Sequence, residues 1–166
     1  MKARKILVGI GMILFSYLAF IACNNEDNYE NKDSELKKGK YEKMDSFFGA
    51  KIGVLKNKEV QVVVTKDDIL KFAKEALKDT KLDLKPFDYK IIEEKGVKYL
   101  RIYSQNNYVS TVELLEDKNN SLKVANTVCT STACASGGGC IPNGSYCTAC
   151  EYSNGLPGDC TRTTSG

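Results

Sequence analysis

Apolar side chains fall into four successive rhythms from one end of the chain to the other. Ile6 to Ala22 is an almost unbroken apolar run behind the short basic stretch Met1 to Lys5. Asn24 to about Asp45 is crowded with Asn, Glu, Asp and Lys and holds few apolar residues. Phe47 to Val128 switches between strand-like and helix-like periods. From Cys129 onward Gly, Ser, Thr and Asn dominate, with Ile141, Tyr146, Tyr152 and Leu156 as the main apolar side chains. The rhythms divide the chain into 1–22, 23–45, 46–128 and 129–166.

The third segment is the one able to build a core. Lys51 to Leu55 and Glu59 to Val64 predict strands, because Val60, Val62 and Val64 alternate and β-branched residues suit a pleated surface. Lys56-Asn57-Lys58 reads as a turn between them or a bulge within one strand. Thr65 then predicts a helix N-cap, with Asp67 and Asp68 facing the positive end of the helix dipole. Ile69, Phe72, Ala73, Ala76 and Leu77 fall at helical spacing and make one apolar face. Lys71, Lys74, Glu75 and Lys78 make the other, with Lys71 and Glu75 one turn apart. Pro86 stops any continuation.

Strand signals follow in series. Asp88 to Glu94 and Val97 to Ser104 flank Lys95-Gly96, a hairpin signal. Asn106-Asn107 turns into Tyr108 to Leu115, and Lys118-Asn119-Asn120 turns into Ser121 to Val128. Such short turns require an antiparallel meander, whose apolar side the helix can cover. The predicted fold class is therefore α+β: one amphipathic helix on a curved antiparallel sheet, in the order β(β)αββββ, followed by a small disulfide-rich C-terminal segment. In element order alone this loosely resembles cystatin-like and PepSY-like folds.

The first two rhythms concern location. A basic start and an apolar run are the layout of an export signal. The run is about the minimum for spanning a bilayer, so a retained anchor is the alternative. Gly9, Gly11, Ser16 and Tyr17 dilute it, and it ends in Phe20-Ile21-Ala22-Cys23 followed by polar Asn24-Asn25-Glu26-Asp27. That junction resembles the lipobox of bacterial lipoproteins, with Phe20 where Leu is usual. The resemblance implies cleavage before Cys23, acylation of its thiol with palmitate-type chains, and attachment to the membrane. Plain secretion wants an A-x-A-like end, and Phe20 occupies one of its small positions. Asn24, in place of Asp, favours the outer membrane, and Glu26-Asp27 resembles the cell-surface signal of Bacteroidota-type lipoproteins. One acyl chain holds a protein marginally, at about 0.8 kcal/mol per buried methylene, whereas two or three hold it permanently. The polar stretch cannot bury enough surface to order itself, so it reads as a flexible tether, apart from a short solvated helix around Glu35 to Met44 as the alternative. About 22 such residues span roughly 25 Å.

Charge removes several function classes. The chain has 24 basic and 21 acidic residues, but Lys2, Arg4 and Lys5 belong to the export segment, and without them the two signs balance. A neutral mature chain offers no electrostatic footprint for nucleic acid. Histidine is absent, which removes the commonest general base and metal ligand. Ser and Thr are abundant, yet no base stands ready to activate one. Glu93-Glu94 and Glu116-Asp117 lie beside turns, where acids are usually solvated. Tyr89, Tyr99, Tyr103 and Tyr108 lie on strands, either as an aromatic binding face or, more commonly, as packing.

The cysteines carry the strongest local signal. Seven is an odd number, but giving Cys23 to the lipid leaves Cys129, Cys134, Cys140, Cys147, Cys150 and Cys160, which can pair completely. A segment with so little to bury needs staples, each worth roughly 2–3 kcal/mol, and an exported compartment favours disulfides. Asn143-Gly144 and Asn154-Gly155 signal turns, and Gly137-Gly138-Gly139 lets the backbone double back. Six cysteines allow 15 pairings, among which the sequence does not choose. Three sharper readings compete. Cys147-x-x-Cys150 offers two metal ligands, without the second close pair that zinc wants. The same residues could be a redox motif, without the strand-then-helix setting of thioredoxin-like sites. The glycine run lacks the Lys and Ser/Thr of a phosphate loop, and that reading is rejected.

These observations predict a non-enzymatic binding module in the cell envelope, with no cofactor, a membrane attachment through Cys23, and a protein or small-molecule ligand. A thiol–disulfide or metal-handling protein acting through Cys147 and Cys150 is the second reading. A protease inhibitor is the third.

Overall fold

The computed structural model describes residues 41–78, 80–134, 139–150 and 155–165. The export segment, Cys23 and the tether up to residue 40 lie outside the described residues, as do Gly137, Gly138, Tyr152 and Asn154.

The strands are β1 (Lys51–Lys56), β2 (Glu59–Val62), β3 (Pro86–Glu94), β4 (Val97–Ser104), β5 (Val109–Glu116), β6 (Ser121–Ser131), β7 (Pro142–Asn143), β8 (Tyr146–Cys147) and β9 (Thr161–Thr164). Between β2 and β3 lies α1 (Lys66–Ala76). One helix packs on a strongly curled antiparallel sheet, so the α+β class holds. The strand order is β2-β1-β6-β5-β4-β3, with β9 added beside β6, and β7 and β8 form a separate hairpin.

Local chemistry explains the elements. Thr65 Oγ1 accepts the Asp68 backbone N–H at 3.1 Å, which occupies one of the helix's orphan donors. Ile69 and Ala73 are buried on α1, Leu77 caps it, and Thr80 Oγ1 donates to the Leu77 carbonyl at 2.7 Å. Glu75 faces Lys78 at 4.0 Å rather than Lys71, which instead lies over the Phe72 ring. Two hairpins turn through two residues that both have positive φ, Asn57-Lys58 and Lys95-Gly96, while Asn106-Asn107 take the same sign within the three-residue loop from Gln105 to Asn107. Two-residue hairpins need that geometry to match the twist of their strands. Lys56-Asn57-Lys58 is thus a true turn, pairing Lys56 with Glu59. Asp117 holds the fourth turn, accepting from the Asn119 and Ser121 backbone N–H groups at 2.8 and 3.0 Å.

The core lies between α1 and one face of the sheet. Ile52, Ile69, Leu77, Leu100, Ile102, Val112, Leu122, Val124 and Val128 are all buried in it. Met44 and Phe47 belong to it too, each 3% exposed. Glu42 donates its backbone N–H to the Val63 carbonyl at 2.8 Å, so ordered packing begins inside the stretch that composition assigns to the tether.

β6 organises the rest. It runs to Ser131, three residues past the predicted end at Val128. β5 borders it on one side. On the other, β1 pairs with its first part, through Lys51↔Lys123 and Val54↔Ser121. β9 pairs with its second part, from Thr127↔Thr164 to Thr130↔Thr161. The Gly-, Ser- and Thr-rich segment therefore supplies a strand to the main sheet.

Candidate functional site

The register fixes which side chains leave the core face. Arg101 stands opposite Thr111, Thr111 opposite Cys129, and Cys129 opposite Arg162. Because Val112 and Val128 point into the core, this neighbouring row points to the other face. Even so, Arg101 is 8% exposed, Thr111 2% and Cys129 0%. Over Thr111 and Cys129 the cover comes from the stapled segment, since β7 packs against β5 and β6.

Three disulfides hold it: Cys129–Cys147, Cys134–Cys150 and Cys140–Cys160. Their sulfurs form a small core of their own, with Cys129, Cys140 and Cys150 buried and Ala133, Cys134, Cys147 and Cys160 packed against them. Cys129 lies within β6, so the first staple joins the main sheet directly to β8. Gly144 has positive φ and starts the turn between β7 and β8, as Asn143-Gly144 predicts. Thr148 extends that hairpin by donating its N–H to the Ile141 carbonyl at 2.9 Å. Arg162 Nη1 donates to the Ser145 carbonyl at 2.9 Å and ties β9 to the same turn.

Asp159 is the charged group at the centre of this region. Its carboxylate accepts the backbone N–H groups of Ala133 at 3.1 Å and Thr132 at 3.3 Å. It also accepts the hydroxyls of Thr132 at 3.2 Å and Ser131 at 3.3 Å. Partial burial pushes its pKa up, but these hydrogen bonds outweigh that and hold it below the usual carboxylate range. Sequence reasoning missed this residue. The one hint was Pro157-Gly158-Asp159, which reads as an ordinary turn.

The other candidates separate. Cys147 and Cys150 are bonded to different partners, so opening them as a dithiol pair would break two staples. Among the described residues no group of three or more His, Cys, Asp or Glu stands close enough to hold a metal ion. The four tyrosines do not share a face. Tyr89 and Tyr108 pack against the core, whereas Tyr99 lies on the opposite face beside Ile92 and Glu113. Burial of Tyr99, with Glu113 and Glu94 nearby, raises its pKa. Glu93 pairs with Lys98 at 3.0 Å, and Asp117 serves its own turn.

No protein-family model, no curated protein and no solved structure matches this chain.

Proposed function

We propose that this chain is a lipid-anchored envelope protein whose folded part is a non-enzymatic interaction module, attached to the outer membrane through acyl chains on Cys23. The reading rests on the Phe20-Ile21-Ala22-Cys23 junction behind a basic start and an apolar run. The cysteine chemistry supports it: the six C-terminal cysteines pair among themselves, which agrees with a separate role for the seventh.

An interaction role is supported by the construction of the stapled segment. Three closed loops hold a small surface rigid, and a rigid surface loses little entropy when it meets a partner. Tyr146 and Leu156 are large apolar side chains on that segment, 57% and 59% exposed. They are the first positions at which to look for partner contact.

Metabolic labelling with a radioactive fatty acid tests the anchor. The native chain should take up label and the Cys23→Ala variant should not. Label retained after that substitution, or absent from the native chain, rejects the reading.

A further inference from the structure

Asp159 lies between two of the cystines, and the residues on either side of it are engaged with them. Gly158 donates its backbone N–H to the Cys150 carbonyl at 2.7 Å. A Cβ on Gly158 would lie 2.8 Å from the Ala133 Cβ and 2.9 Å from the Cys150 sulfur, so the backbone passes in direct contact with both. Asp159 grips the turn of residues 131–134 through four hydrogen bonds. That turn carries Cys134, whose N–H donates to Ser131 Oγ at 3.1 Å. Gly158 thus holds the segment of Cys150, and Asp159 holds the turn of Cys134. These contacts depend on no sulfur–sulfur bond of their own.

The sheet delivers this bracket to its place. Thr130 pairs with Thr161, and carrying that antiparallel register onward sets Asp159 beside Thr132 and Gly158 beside Ala133. The next residue, Cys160, is brought to the region of its partner Cys140 by the same strand.

We propose that Gly158-Asp159 is a positioning device for oxidative folding, which selects Cys150 as the partner of Cys134 and Cys140 as the partner of Cys160. Six thiols in a segment with almost no apolar core have 15 ways to pair, and burial alone discriminates poorly among them. A carboxylate accepting backbone N–H groups makes strong, directional bonds, which are available before any thiol is oxidised. In each oxidation two thiols become one disulfide, and a disulfide oxidant such as glutathione disulfide takes their two electrons and two protons and leaves as two thiols. Asp159 takes no part in that exchange. It sets which sulfurs meet.

The test is disulfide mapping during refolding. The full chain, reduced in detergent solution, is exposed to glutathione disulfide, quenched by alkylation at intervals and mapped by peptide mass spectrometry. The native chain should recover all three pairs. Asp159→Ala should form Cys134–Cys150 and Cys140–Cys160 about tenfold more slowly, in competition with mispaired forms, while Cys129–Cys147 forms at close to the native rate. Asp159→Asn keeps one acceptor oxygen and should fall between the two. Asp83→Ala, an exposed acid paired with Lys85, is the control and should match the native chain. Recovery of native pairs by Asp159→Ala at the native rate overturns the proposal. Slowing of all three pairs together also overturns it, because a general loss of stability has no preference among sulfurs.

Discussion

Cys129, near the C-terminal end of β6, is bonded to Cys147 of β8, so the central sheet and the stapled segment share a covalent link on the longest strand. The second half of β6 is also paired with β9. Those two ties make the C-terminal segment a support for part of the sheet, and not only an appendage to it.

Reduction should therefore loosen the molecule unevenly. The amides of β9 and of Thr127 to Ser131 should lose part of their protection from hydrogen exchange, while the β3–β4 hairpin and α1 keep theirs in full. Removing the Cys129–Cys147 link with a double alanine substitution should cost roughly 2–4 kcal/mol in chemical denaturation. Equal loss of protection across every strand would contradict this picture.

Turn chemistry gives a sharper pair. Lys58 has φ 68° in a position that favours glycine, so Lys58→Gly should raise stability by about 1 kcal/mol. Gly96 has φ 82° with nothing within 4 Å of the place a Cβ would take, so Gly96→Ala meets no clash and should lose about 1 kcal/mol through backbone strain alone. Denaturant midpoints check both signs.

Ser104 is 3% exposed, and its hydroxyl has no hydrogen-bond partner among the described residues. Ser110 and Thr130, buried on the same side of the sheet, solve this problem by bonding each other at 2.8 Å. Ser104→Ala should consequently be neutral or stabilise the fold by up to about 1 kcal/mol, since it removes a buried polar group that has no partner. Ser110→Ala should destabilise by about 1–3 kcal/mol, because it strands the Thr130 hydroxyl.

Acid should weaken the fold through three aspartates. The Lys66 hydrogen bond lowers the pKa of Asp88, backbone N–H groups lower that of Asp117, and at Asp159 hydrogen bonds outweigh the upward push of burial. A carboxyl whose folded pKa is depressed stabilises the fold above its unfolded pKa, and that contribution disappears as pH falls through the folded value. Stability should be level near neutral pH and decline below about pH 4. Asp88→Asn and Asp159→Asn should each make the decline shallower in thermal melts recorded from pH 7 to pH 2.

Local signals on short stretches carried most of the central fold. Thr65, the apolar spacing of Ile69, Ala73 and Leu77, and the turns at Lys95-Gly96 and Asn106-Asn107 report their own conformation, because capping and positive φ are decided by a few neighbouring residues. Non-local pairings were not legible. Nothing in Lys51 to Leu55 names β6 as its neighbour, and Thr161-Arg162-Thr163-Thr164 is too short and polar to announce a strand. Met44 was hidden because a single apolar residue among Lys, Glu and Asp has no period. The staples followed the same division: their number came from counting cysteines, while their partners depend on where β6 and β9 bring the chain.

The most direct measurement is the intact mass of the protein isolated from its own cells, taken before and after reduction and alkylation. The expected chain begins at Cys23 and is heavier by two or three acyl chains, with no thiol alkylated before reduction and six alkylated after it. A mass that retains Met1, or a bare Cys23 that takes up alkylating reagent without reduction, would contradict that expectation.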